Sequence, residues 1–125
     1  MSSTTRIQTF AEFWPYYLGE HAHPMCRALH FFGTCGVIGL VIAAAATLNP
    51  WLLLGMPLCG YGAAWVGHFI IEKNRPATFT YPLWSLASDF VMWSHMLRGR
   101  LWGEDVETFL ASKGLEPHPL HTAES

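Results

Sequence analysis

Two apolar runs without a formal charge, ALHFFGTCGVIGLVIAAAATL over residues 28–48 and WLLLGMPLCGYGAAWVGHFII over residues 51–71, are separated only by Asn49 and Pro50. Each is about as long as a helix that crosses a bilayer. A turn this short sends the second helix back along the first, so the pair reads as an antiparallel transmembrane hairpin. The composition agrees: 51% of residues are hydrophobic and 13% charged, about half the charged share of a soluble domain. The length of 125 residues accommodates one domain. A net charge of -2 and the lack of a basic cluster give nucleic acid no surface to bind.

Shorter elements flank the hairpin. Thr9 and Glu12 fit a capping box, followed by a stripe of Phe10, Phe13, Trp14, Tyr17 and Leu18 at helical spacing. Such a helix lies at the headgroup level or packs on a neighbour. Pro24 restarts a helix, and Gly33, Gly36 and Gly39 offer a small-residue face for helix packing or self-association. Pro57 is expected to kink the second run. Arg27, Lys73 and Arg75 flank one end of the hairpin and no cation lies in the turn at its other end, so the first end is predicted to face the cytoplasm. No signal peptide is expected at the N-terminus.

The third apolar segment, about 81–97, carries Ser85, Ser88, Asp89 and His95 and runs into Arg98 and Arg100. A full crossing would put those arginines outside, so a tilted, broken or re-entrant segment is expected. Val106, Phe109 and Leu110 mark a short surface helix capped by Gly114. The sequence therefore predicts an all-α membrane protein with one helical domain over residues 1–114. Residues 115–125, with His118 and His121, read as a solvated, disordered tail. The odd number of cysteines, Cys26, Cys35 and Cys59, argues against a disulfide framework.

Polar residues gather at the cytoplasmic end of the hairpin. His30 lies about six residues beyond Pro24 and His68 about five before Lys73, so each sits roughly 8–9 Å inside its helix end. His21 and His23 precede the first span, and Glu72 lies one helical turn after His68. Imidazole nitrogens with a carboxylate suit Fe(II), Mn(II) or Zn(II), and the candidate ligands are His21, His30, His68 and Glu72. Glu72 is either a ligand or a charge partner of Arg27, Lys73 or Arg75. Asp89, in an apolar segment, needs a partner, for which Arg75, His95 and a site histidine are candidates. Two alternatives remain open from the residues: His30 and His68 as axial ligands of a haem in an electron carrier, and a non-enzymatic membrane scaffold.

The segments YLGEHAHPMCRALHFFG, GHFIIEKNRP and PATFTYPLWSLASDF resemble the 2-hydroxy-palmitic acid dioxygenase-like family, small membrane proteins first catalogued as a domain of unknown function. The likeness covers roughly residues 10–100. It implies an iron(II)-dependent dioxygenase that shortens 2-hydroxy fatty acids by one carbon, with O2 and a lipid substrate as partners. Carried over residue by residue, the metal role falls to His21, His30 and His68, with Glu72 as the fourth member. Cys26 stands where the family commonly has asparagine. On this reading Arg27 or Arg75 steers the substrate carboxylate, while the acyl tail lies among Phe31, Phe32, Trp65 and Phe69 or their neighbours.

Overall fold

The computed structural model describes residues 7–75 and 79–119, which form five α-helices and no strand. Helix α1 (Phe10–Glu20) starts where Thr9 Oγ1 accepts the Glu12 N–H at 3.2 Å. Helix α2 (Pro24–Thr47) starts at His23, whose extended backbone suits a residue before proline and whose Nδ1 accepts the Met25 N–H at 3.0 Å. Leu48, at φ 56°, ends it. A 3-10 turn (Pro50–Leu54) then runs into α3 (Gly55–Trp65) and a π-helical segment (Val66–Glu72). Pro57 thus falls near the start of α3, and the departures from α geometry lie to either side of that helix.

Contacts between the two long helical runs follow opposite chain orders. Cys26 meets Gly67, Gly33 meets Cys59 and Ala63, Val37 meets Gly60, and Leu40 meets Gly55. A Cβ on Gly33 would lie 2.8 Å from the Cys59 carbonyl oxygen and 2.9 Å from Ala63 Cβ, so glycine is what lets these backbones approach. Gly36 packs on Cys59 in the same way, whereas a Cβ on Gly39 would meet nothing within 4 Å. Two of the three glycines therefore serve this packing. The three cysteines are free.

The buried core lies beside this pair. Phe13, Trp14, Tyr17 and Leu18 of α1 pack with Met92 and Met96 of α4 (Pro82–Leu97), Leu101, and Phe109 and Leu110 of α5 (Val106–Ser112). The aromatic stripe of α1 thus faces protein. Helix α4 is unbroken. His118 does not match a solvated tail: it is half-buried edge-on against Tyr16, 3.6 Å from Glu12. His121 lies outside the described residues.

Arg27 ties the core to the long helices. Fully buried, it donates from Nε to the Leu101 carbonyl (2.7 Å), from Nη1 to those of His21 (2.8 Å) and Ala22 (2.9 Å), and from Nη2 to that of Glu104 (2.7 Å). Two helices, Pro24–Thr47 and Pro50–Glu72, are long and apolar enough to cross a membrane. Only 22% and 11% of their most apolar windows are buried, so most of that surface has no protein partner.

Replacing Gly33 with leucine forces the Cys59 backbone aside and is expected to cost about 1–3 kcal/mol. Gly39→Ala, in open space, is expected to be neutral or stabilising by up to about 1 kcal/mol. Thermal unfolding of the two variants in detergent checks the contrast; equal loss in both would contradict the packing assignment.

Candidate metal centre

Three chain turns deliver the histidines to one point. His21 closes α1, with its backbone N–H on the Leu18 carbonyl, and the bend through Ala22 and His23 turns the chain into α2, where His30 follows. His68 comes from the π-helical segment, a wide-turn geometry common at functional sites. Lys73, at φ 60°, turns the chain so that the Asn74 N–H also reaches the His68 carbonyl at 2.8 Å. His21 and His68 are 1% and 2% exposed, and His30 is 6% exposed.

Each imidazole has one nitrogen committed away from the centre. His21 Nδ1 donates to the Tyr17 carbonyl at 2.7 Å and His30 Nδ1 to the Cys26 carbonyl at 2.9 Å; carbonyls accept only, so both Nδ1 atoms carry the proton. His68 Nδ1 donates to Asn74 Oδ1 at 2.8 Å. That amide is oriented by its Nδ2, which donates to the Glu20 carbonyl at 3.1 Å and to Glu20 Oε1 at 3.2 Å. The three Nε2 atoms are therefore left as lone pairs, and they converge: His21 Nε2 lies 3.1 Å from His30 Nε2 and 3.0 Å from His68 Nε2.

Lone pairs that close repel unless a proton or a cation lies between them. Burial pushes the His21 pKa well below its ordinary value, the His30 and His68 rings push it the same way, and the Tyr17 carbonyl only partly opposes them. A proton is disfavoured. A metal fits, because bonds of about 2.1 Å from one ion to two imidazoles place the nitrogens about 3.0 to 3.4 Å apart for angles from about 90° to tetrahedral. Cys26 completes the buried group, with all four ligand atoms within 4.8 Å of one another. Its Sγ packs where a Gly67 side chain would stand. This cluster can hold a metal ion.

The other expected site residues lie elsewhere. Glu72 Oε2 accepts the His23 N–H at 2.6 Å, and its carboxylate is not part of the four-residue group. Arg27 has turned its guanidinium to backbone carbonyls, so its expected role toward a substrate carboxylate gives way to a structural one. Arg75 is exposed, its guanidinium 5.1 Å over the Phe79 ring. Asp89 receives the Tyr17 hydroxyl rather than a bond from Arg75 or a histidine. Tyr17 in turn stacks on His21, with ring centroids 4.0 Å apart.

A cavity of about 400 Å³ adjoins the cluster. His21, His30, His68, Tyr17 and Asp89 contribute its polar wall, and Val37, Met56, Leu83, Leu86 and Phe90 much of the apolar remainder. The aromatic residues expected around an acyl tail are not its lining: Phe32, Trp65 and Phe69 point outward, and Phe31 packs on Trp102. Sequence reasoning also missed Asn74, and it offered Glu20 only as a substitute carboxylate for Glu72 rather than as the group that holds the Asn74 amide. Asn74 was visible in GHFIIEKNRP, but α-helical spacing gives no reason to set it on the ring six residues back. Glu20 is pushed up to about 7, chiefly by burial and then by the Glu72 carboxylate.

Apolar helices exposed along their length, a core beside them and a buried cluster of three histidines and a cysteine define a small helical protein whose cluster could hold a metal ion. The chain belongs to the family described as 2-hydroxy-palmitic acid dioxygenase Mpo1-like, whose model matches residues 7–101. Comparison with curated proteins and with solved structures gave no match.

Removing the Asn74 side-chain acceptor, as in Asn74→Leu, frees the His68 ring to turn and is expected to weaken metal binding about 10–100-fold. Metal retained against a graded chelator checks this. Retention equal to wild type would contradict the orienting role.

Proposed function

We propose that the chain is an iron(II)-dependent dioxygenase of 2-hydroxy fatty acids, with His21, His30 and His68 as the metal ligands. The observation that carries this reading is the convergence of three imidazole lone pairs at a mostly apolar cavity, in a chain of this family. Iron(II), when bound, supplies the redox chemistry with O2 that breaks the bond between the first two carbons. That cleavage turns a 2-hydroxy acid and O2 into the acid one carbon shorter, carbon dioxide and water, so the substrate supplies all the electrons.

The protein's own groups divide the remaining work. Tyr17, Cys26 and Asn74 hold the three rings through their Nδ1 protons and keep each Nε2 free of a proton. Val37, Met56, Leu86 and Phe90 offer the acyl tail an apolar bed and keep water from the reacting carbons. The long helices form a transmembrane hairpin, which gives their exposed apolar surface a lipid partner and sets the centre near the cytoplasmic face. The haem alternative fits less well. Axial imidazoles stand on opposite sides of a porphyrin plane, and here the His21 nitrogen lies about 3 Å from both of the others.

Purified protein reconstituted anaerobically with Fe(II) is expected to consume O2 with 2-hydroxypalmitic acid and release the acid one carbon shorter. His21→Ala, His30→Ala and His68→Ala should each lose more metal than the about 10–100-fold weakening typical of an outer partner, whereas Glu72→Gln retains it. Oxygen uptake by wild type no greater than without substrate would overturn the assignment.

A further inference from the structure

The α4 wall of the cavity holds a polar group with no role in orienting the histidines. Ser85 is 4% exposed, lines the cavity, and its Oγ has no hydrogen-bond partner. A helical serine commonly turns its hydroxyl back to the carbonyl four residues earlier. Here the Tyr81 carbonyl takes the Ser85 backbone N–H at 2.9 Å, and the side chain bonds to nothing. Buried hydroxyls in folded proteins are nearly always paired, so an unpaired one in a cavity wall points to a partner that arrives with the ligand. Ser88 is also buried and unpaired but does not line the cavity.

The surroundings say what that partner is. A fatty acid brings an anionic carboxylate, yet neither expected arginine lines the cavity: Arg27 is spent on carbonyls and Arg75 lies over Phe79. The Tyr17 hydroxyl is given to Asp89. Asp89, one turn beyond Ser85 and on the same face of α4, is an acceptor already bonded through Oδ1. Among the described residues, Ser85 thus supplies a buried, uncommitted hydroxyl proton in this wall.

Building on the dioxygenase reading, we propose that Ser85 is a substrate-binding residue whose hydroxyl donates to the carboxylate of the bound fatty acid. The bond to a carboxylate is charge-assisted and stronger than one to an ester carbonyl, so Ser85 favours acids over esters. Substrate carboxylate recognition in this chain then rests on a neutral donor together with the metal, without an arginine.

Equilibrium binding of 2-hydroxypalmitic acid and of its methyl ester to the iron-loaded, anaerobic full chain in nanodiscs tests this. Ser85→Ala is expected to weaken the acid about tenfold, the scale of one charge-assisted hydrogen bond, and to weaken the ester by less. Ser85→Thr, which keeps the hydroxyl, should retain the wild-type preference. Unchanged acid affinity in Ser85→Ala, or equal weakening of acid and ester, would overturn the proposal. If wild type turns over the acid and Ser85→Ala does so with the same KM, the anchor alone fails. If wild type neither binds nor oxidises the acid, the dioxygenase reading fails and the anchor with it.

Discussion

Three hydrogen bonds directed away from the centre, from His21 to the Tyr17 carbonyl, His30 to the Cys26 carbonyl and His68 to the Asn74 amide, force the opposite ring nitrogens inward. The rest of the structure can be read as what makes those bonds unavoidable. Two of the acceptors are carbonyls in the turn preceding each histidine, so the tautomer is fixed by the helix that carries the ring. The third is a side chain held by Glu20 on another element, which couples the end of α1 to the end of the π-helical segment.

That coupling depends on close backbone approach. Gly67 leaves room for Cys26, and Gly33 lets α2 reach the Cys59 carbonyl, so His30 and His68 are drawn together by residues with no chemistry of their own. Arg27 does the corresponding work for His21. Its bonds to the His21 and Ala22 carbonyls hold the bend between α1 and α2, and those to Leu101 and Glu104 fasten it to the core. A buried cation satisfied by carbonyls in this way is a structural pin.

Much of this was legible in the residues. Hydropathy and the Asn49-Pro50 turn implied two long apolar helices, and matching histidine depths implied that His30 and His68 meet; both follow from one-dimensional spacing. The roles of Glu72 and Asn74 were not legible, because they depend on the π-helical segment and the left-handed Lys73, which no α-helical spacing rule anticipates, and that of Arg27 was not because its acceptors on Leu101 and Glu104 lie far along the chain. The acyl bed was misplaced for a related reason. Bulky aromatics attract attention in a sequence, yet the cavity lies on the faces that α2, α3 and α4 turn toward one another, where the side chains are Val37, Met56 and Leu86.

The central claim is that three imidazoles hold the metal, and that neither the Glu72 carboxylate nor the Cys26 thiol, which lies 3.8 Å from His30 Nδ1 on the side of that ring turned away from the centre, does so. X-ray absorption at the iron edge of the purified, Fe(II)-loaded protein tests it most directly. The account predicts a first shell of light nitrogen or oxygen scatterers near about 2.1 Å, with the multiple-scattering pattern of three imidazole rings and no sulfur. A sulfur scatterer at about 2.3 Å, or fewer than three imidazoles, would contradict it.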